Sequence, residues 1–455
     1  MTVALSLKVQ HIWIDSLCII QDDNDDWKSQ SSSMGLIYQN ACCNIAATWG
    51  VDGTAGCFSE RDGSSKSIKV IVNGDSGLKE HVVYDKFAYK SEITDASLNK
   101  RGWVTQERNL ARKQLSFAKS QVYWECSELS ASEDFPEGIP RGMEDLRQKK
   151  LMSTRWIGLD HIEEYKFRHT WIHLVESYSE CKLKKLSDES AALAGVAGYM
   201  KTATNNTYLA GLWKKDLEQQ LLWRRKSSQS CPSESPSYIA PTWSWMCLDA
   251  PVQYDRGYTL KNTTYESRYK PIPYSAEILE VSVEPFDAMH SFRSAEVKLR
   301  GIAIRAAVIS TEPSEESGSC VTWRTLQLAD EIGITQGIHI GVGISWDRSA
   351  VSEQNLLFMF VSTGQIKCYA GDMNGLVLKG SNENELVYHR LGVFSTAVPY
   401  IYLKGREIDL SHIIRERLAV KNSRANDNGS TSVAQEYLNL DDERLKGLVH
   451  TVTII

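Results

Sequence analysis

The sequence predicts an α/β protein of more than one domain: a parallel-sheet domain first, a helical connector next and a β-rich module last. Three observations carry this reading. Strand, helix and strand signals follow one another within about forty residues near the start, the grammar of a βαβ unit. Helical words dominate from about residue 150 to 225. Short β-branched runs separated by turn residues fill most of the chain after Trp245, a pattern that suits an antiparallel sandwich or barrel.

Each element follows from local chemistry. His11–Ile14 is short, β-branched and aromatic, and reads as a buried strand. Asp25 or Asp26 is expected to cap the next helix, because an Asp side chain accepts the orphan N–H groups of a first turn. Trp27, Met34, Ile37, Tyr38 and Ala41 fall on one face at helical spacing. Cys43–Thr48 then reads as a second buried strand, and Cys18 as a small core residue. Short strands at Ser67–Val72 and His81–Tyr84 flank the turn Asn73-Gly74-Asp75-Ser76-Gly77, Leu98–Leu110 reads as helix, and Gln114–Cys126 as a strand pair. Three helical words follow, Trp171–Leu183, Asp188–Met200 and Tyr208–Trp223. A Ser/Pro-rich linker at Lys226–Ser237 and a polar one at Asn422–Ser432 are too hydrophilic to pack a core. The expected boundaries are 1–130, 131–237, 238–405 and a tail at 406–455.

Composition excludes several function classes. The chain has 455 residues and a formal net charge of −6, so it presents no basic field for nucleic acid. Its ten cysteines make no C-x-x-C pair, which leaves zinc ribbons and thioredoxin-type motifs unsupported. No stretch approaches the roughly 20 apolar residues of a membrane span, and no signal peptide is evident, so a cytoplasmic protein with reduced thiols is expected. His169 and His173 are spaced i, i+4, but Thr170 stands where a zinc protease needs its general-base Glu; no metal site is expected. No phosphate-cradling G-x-x-x-x-G-K-[ST] word occurs.

Several words are specific enough to identify a family. WIDSLCIIQDD with its trailing DW, M, IY and NA at Trp13–Ala41, GCFSER at Gly56–Arg61, RGWVTQERNLAR at Arg101–Arg112 and QVYWEC at Gln121–Cys126 occur in this order. Together they resemble the heterokaryon incompatibility (HET) domain of filamentous fungi. Downstream words from LVESYSECKL to YHRLGVF look like the extension often found behind such a domain, so the resemblance runs over most of residues 10 to 395. It implies an effector of non-self recognition whose activation leads to cell death. It also implies a distant likeness to Toll/interleukin-1-receptor (TIR) domains, which have a flavodoxin-like parallel sheet and in some cases cleave NAD at the nicotinamide–ribose bond. Members usually open on a strand word of the type A-L-S-Y-x-W-G several dozen residues before the W-I-D word. Here about a dozen residues precede Trp13, so a sheet lacking its first strand is expected.

The resemblance also directs attention to particular side chains. Trp103 and Glu107 lie four apart, on one face of a helix, and TIR enzymes carry their catalytic glutamate in a comparable word. Glu107 is therefore the candidate catalytic carboxylate, beside an oxocarbenium-like cation formed at the ribose. Trp103 is a candidate pocket wall, and Arg101 could meet a diphosphate by paired donors. The same word also reads as a packing motif, with Glu107 in an internal ion pair with Arg101 or Arg108. Asp15 and Ser16 follow the first expected strand directly, where open α/β sheets bind ligands. Asp15 reads either as an acceptor for a ribose hydroxyl or as a turn residue tying its own loop. Arg61 reads as a phosphate contact or a solvated loop residue. NAD enters as a substrate, with no resident cofactor. The partners implied are a second copy or another incompatibility protein.

Overall fold

The computed structural model describes residues 1–61, 68–74, 77–140, 143, 164–183, 185, 188–226, 238–254, 275–285, 292–309, 322–328, 339–347, 356–363, 373–381, 386–396, 400–403, 406–409, 440–441 and 449–455. These form two compact units. The first draws on Met1–Leu174 and Cys181–Asn205, the second on Val175–Glu180, Asn206–Phe286 and Phe292–Ile455. The linkers expected at Lys226–Ser237 and Asn422–Ser432 lie outside the described residues, apart from Lys226.

The first unit opens with two short helices, α1 (Thr2–Ser6) and α2 (Asp15–Cys18), before the long α3 (Asn24–Asn40). Asp23 caps α3, accepting from the N–H groups of Asp25 at 2.9 Å and Asp26 at 3.1 Å. The cap thus sits just before the two aspartates expected for it, which instead place negative charge in the first turn, where the helix dipole favours it. After α3 comes strand β1 (Asn44–Ala47), then a hairpin of β2 (Ile68–Gly74) and β3 (Gly77–Val83) that forms a sheet of its own. A π-type turn at Lys90–Thr94 and a 3₁₀ turn at Ser97–Lys100 lead into α4 (Val104–Leu110).

Strands β4 (Lys113–Phe117), β5 (Val122–Cys126) and β6 (Ser130–Ser132) complete a four-stranded sheet in the order β1-β4-β5-β6. Its β1–β4 pair is parallel, registering Asn44 with Gln114 and Ala47 with Phe117; the other two pairs are antiparallel. The sheet is therefore mixed. Arg108 of α4 is buried against it, with Nη2 3.3 Å from Glu125 Oε1, while the Tyr89 hydroxyl donates to the same oxygen at 2.8 Å. Helices α5 (Glu164–Tyr178) and α6 (Glu189–Thr204) follow, and α6 packs on α3 and α4. The contact is close because glycine meets glycine: a Cβ added at Gly35 would lie 2.7 Å from Gly195 Cα.

Two expectations near the start are corrected. His11–Ile14 is not a strand: it pairs with no strand among the described residues, and Ile12 and Ile14 are exposed. The Ile14 carbonyl instead accepts from the N–H groups of Leu17 (3.0 Å) and Cys18 (2.8 Å), which starts α2. A strand without ladder partners has no hydrogen bonds of its own to hold it. Cys18 is exposed rather than in the core, because α2 is a single turn with no buried residue.

In the second unit, Tyr208–Trp223 is not the expected helix. Strands β7 (Tyr208–Leu209) and β8 (Leu212–Trp213) form a tight hairpin around Ala210 and Gly211, both at positive φ (45° and 86°). That is the backbone a two-residue hairpin loop demands. A third positive φ, at Asp216, delays the helix to the short α7 (Leu217–Gln220). Strands β9 (Arg224–Arg225) and β10 (Val252–Gln253) then pair. Trp213, Trp223, Trp243 and Trp245 are all fully buried, which accounts for the tryptophan-rich words of this region.

The remaining strands are β11 (Ala276–Pro285), β12 (Phe292–Ile309), β13 (Thr322–Leu328), β14 (His339–Trp346), β15 (Leu356–Thr363), β16 (Met373–Gly380), β17 (Val387–Thr396), β18 (Tyr400–Leu403), β19 (Arg406–Asp409) and β20 (Val449–Ile454). Pairings run β12-β13-β14-β17-β16-β15 and return to β12, so these antiparallel strands close into a barrel-like ring. The first half of β12 carries β11 and β20, while among the described residues β18 and β19 pair only with each other. The β-rich module expected from sequence is present. Its Arg390 on β17 is buried, stacked 3.4 Å from the Trp223 ring and 3.2 Å from Asp347 Oδ1.

Candidate functional site

Glu107 sits in the middle of α4. Gln106, Arg108 and Leu110 of that helix are buried. Trp103 and Glu107, one turn apart, form the half-buried flank. The helix entrance is held by the Gly102 N–H, which donates to the Lys182 carbonyl at 3.1 Å. Across from this flank lies the C-terminal half of α3, where Tyr38 donates a hydrogen bond to the Glu107 carboxylate. The Trp13 ring meets Tyr38 edge-on at 5.7 Å, and Trp27 meets Trp103 likewise at 6.1 Å.

The electrostatics of this corner are unusual for a carboxylate. Burial pushes Glu107 up, the Tyr38 hydrogen bond pulls it back, the negative Asp15 raises it again and the Arg101 cation lowers it; the balance stands at about 7 instead of 4.5. Burial and then the Glu107 charge hold the Tyr38 phenol far above its ordinary range. Tyr38 is therefore a hydrogen-bond donor at any physiological pH, and Glu107 exchanges a proton near neutrality. Such a group can both stabilise a developing cation and take up a proton.

The structure brings Asp15, Arg101, Trp103 and Glu107 into one neighbourhood and leaves Arg61 outside it. Asp15 begins α2 and accepts from the N–H of Ser16 at 2.8 Å, so it ties its own turn while its charge still reaches Glu107. Ser16 is exposed beside it. Arg61 pairs with Glu133 at 2.7 Å, and Glu133 also accepts from the Val122 N–H at the edge of β5. The internal ion pair foreseen for Glu107 with Arg108 does not form, since the Arg108 guanidinium meets Glu125. Tyr38 was read only as part of a packing face. Its signal was a tyrosine on a half-buried helical face, where the hydroxyl needs a partner. A separate cleft of about 320 Å³, lined by Tyr84, Tyr89, Tyr123, Phe135 and other residues, includes none of the Glu107 cluster.

Residues 1–107 match the family model described as heterokaryon incompatibility protein (HET). The likeness to HET domains is thus shown for the first 107 residues. The matched span contains every member of the cluster and ends on Glu107 itself; the QVYWEC block and the downstream words lie beyond it. No curated protein and no solved structure matches the chain. Among the described residues, no group of three or more His, Cys, Asp or Glu side chains could hold a metal ion near the HET domain or elsewhere. No described helix is long and apolar enough to cross a membrane.

Proposed function

We propose that this HET-domain protein is a cytoplasmic incompatibility effector of filamentous fungi that promotes cell death by cleaving NAD at the nicotinamide–ribose bond. The observation that carries the reading is the Glu107 carboxyl, held near neutrality between Tyr38, Asp15 and Arg101. Loss of nicotinamide breaks the C1′–N bond and leaves positive charge on the ribose ring. A carboxylate beside that carbon stabilises the cation and accepts a proton from the attacking water, giving ADP-ribose, nicotinamide and a proton. The charge of the cation would itself favour the ionised form of Glu107. Arg101 supplies a cation for the diphosphate, and the edge-on pair Trp27–Trp103 offers aromatic surface for a ring.

The test is NAD consumption by the purified protein and its Glu107→Ala and Glu107→Gln variants, with released nicotinamide as the readout. Losses of about a hundredfold or more are expected from removing the charge that faces the transition state. Undiminished cleavage by either folded variant would overturn the reading. Induced toxicity that persists in Glu107→Ala without NAD depletion would instead assign the HET domain a non-enzymatic signalling role.

A further inference from the structure

The β2–β3 hairpin has no counterpart in the site chemistry. Among the described residues it forms a two-stranded sheet alone, and no described strand neighbours either outer edge. All the residues of β3 are exposed, and Ile68, Val70, Ile71 and Val72 of β2 are exposed as well. An isolated hairpin is marginal in water, and free strand edges template pairing with another chain. The register divides its side chains between two faces. Ile68, Val70, Val72 and Val83 share one face with Lys79 and His81, and no carboxylate lies there. The other face carries Lys69 paired to Glu80 at 2.8 Å.

A surface of opposite character lies at the start of the same unit. His11–Ile14 is extended but unpaired with any strand, and Ile14, Leu17 and Ile20 are exposed around it. Asp22, Asp23, Asp25 and Asp26 follow at once, all but Asp26 exposed. One surface offers a free strand edge with an apolar, basic face. The other offers extended backbone with an apolar, acidic border. Both are exposed in the same copy, so the hairpin does not cover its own chain's patch.

We propose that the β2–β3 hairpin docks on the Ile14–Asp22 surface of a second copy of this chain. Arm and acceptor are different surfaces, so two copies can close by reciprocal exchange of their hairpins, or a head-to-tail contact can propagate into a ring or a filament. Apolar burial of Val70 and Val72 against Leu17 and Ile20 provides the attraction, and Lys79 facing Asp22 sets the register. The acceptor surface includes Asp15 and Ser16 beside Glu107, but the association itself does not rest on NAD cleavage and is read without it.

The experiment is sedimentation of the full chain over a range of concentrations, with Lys79→Glu, Asp22→Lys, Val72→Ser and the combined Lys79→Glu/Asp22→Lys variant. All three positions changed are exposed, and circular dichroism checks the folding of the four variants. The wild type is expected to associate, to a dimer or beyond, as concentration rises. Either charge reversal should weaken association about tenfold or more, and the combined variant should recover it. An equimolar mixture of the two single reversals should recover it too. A wild type that stays monomeric overturns the proposal. So does association lost in Lys79→Glu and Val72→Ser but untouched by Asp22→Lys, which would assign the contact to two hairpins.

Discussion

Replacing Glu107 by Gln separates what the carboxylate does for chemistry from what it costs the fold. In the native protein its carboxyl is raised from 4.5 to about 7, first by burial and further by Asp15. An acid raised on folding binds its proton more tightly in the native state, so stability falls as pH rises from 4.5 to about 7 and stays lower above that. At about 1.4 kcal/mol per pH unit, that interval of roughly 2.5 units corresponds to about 3 kcal/mol, an upper figure for a half-buried group. Glutamine keeps the shape and can still accept from Tyr38 but never ionises. Glu107→Gln should therefore match the wild type in urea unfolding at pH 4.5 and exceed it by up to about 3 kcal/mol at pH 8. For a unit with a urea slope of about 2 kcal/mol per molar, that moves the midpoint by about 1.5 M. A stability difference that does not change between pH 4.5 and 8 would refute the electrostatic account of this corner, whatever the variant does to NAD.

Two further outcomes follow from the same geometry. Tyr38→Phe removes the hydrogen bond that lowers Glu107, so the pH at which NAD cleavage reaches half its plateau should move above about 7; a pH–rate profile checks the direction, and a shift toward acid would contradict it. Arg108→Met removes the cation beside the buried Glu125 carboxylate of β5, which keeps its hydrogen bond from Tyr89, and thermal unfolding should show a loss of about 3–5 kcal/mol, typical of breaking a buried pair on one side.

How much of this was legible in the sequence depended on whether local and distant forces agreed. The β2–β3 hairpin was readable because β-branched runs flank the word Asn73-Gly74-Asp75-Ser76-Gly77, although Asn73, Gly74 and Gly77 themselves join the two strands. Glu107 was singled out by the resemblance of its word to the TIR one, with Trp103 one turn before it; of the helix expected over Leu98–Leu110, α4 forms only Val104–Leu110, after a 3₁₀ turn at Ser97–Lys100. Tyr208–Trp223 misled because its leucines and tryptophans mimic helical spacing, while the positive φ at Ala210 and Asp216 belongs to residue types that rarely announce it. His11–Ile14 misled in the opposite way: a good strand sequence forms a strand only when another strand lies beside it. Tyr38 escaped notice because its partner is about seventy residues away in sequence, and no spacing rule connects two helices that meet only in the fold.

The glycine contact between α3 and α6 has a consequence for how the chain is made. Gly35 and Gly195 are 160 residues apart (195 minus 35). At about 5–20 residues per second, the ribosome needs roughly 10–30 s after finishing α3 to deliver α6. Throughout that interval the α3 surface meant for α6 is exposed, and for its later part, once residue 107 is made, the entire span matched by the HET family has been synthesised. The corner holding Glu107 is thus a late product of translation: a nascent chain halted after residue 107 would have all the side chains of the cluster without the helix that backs α3 and α4.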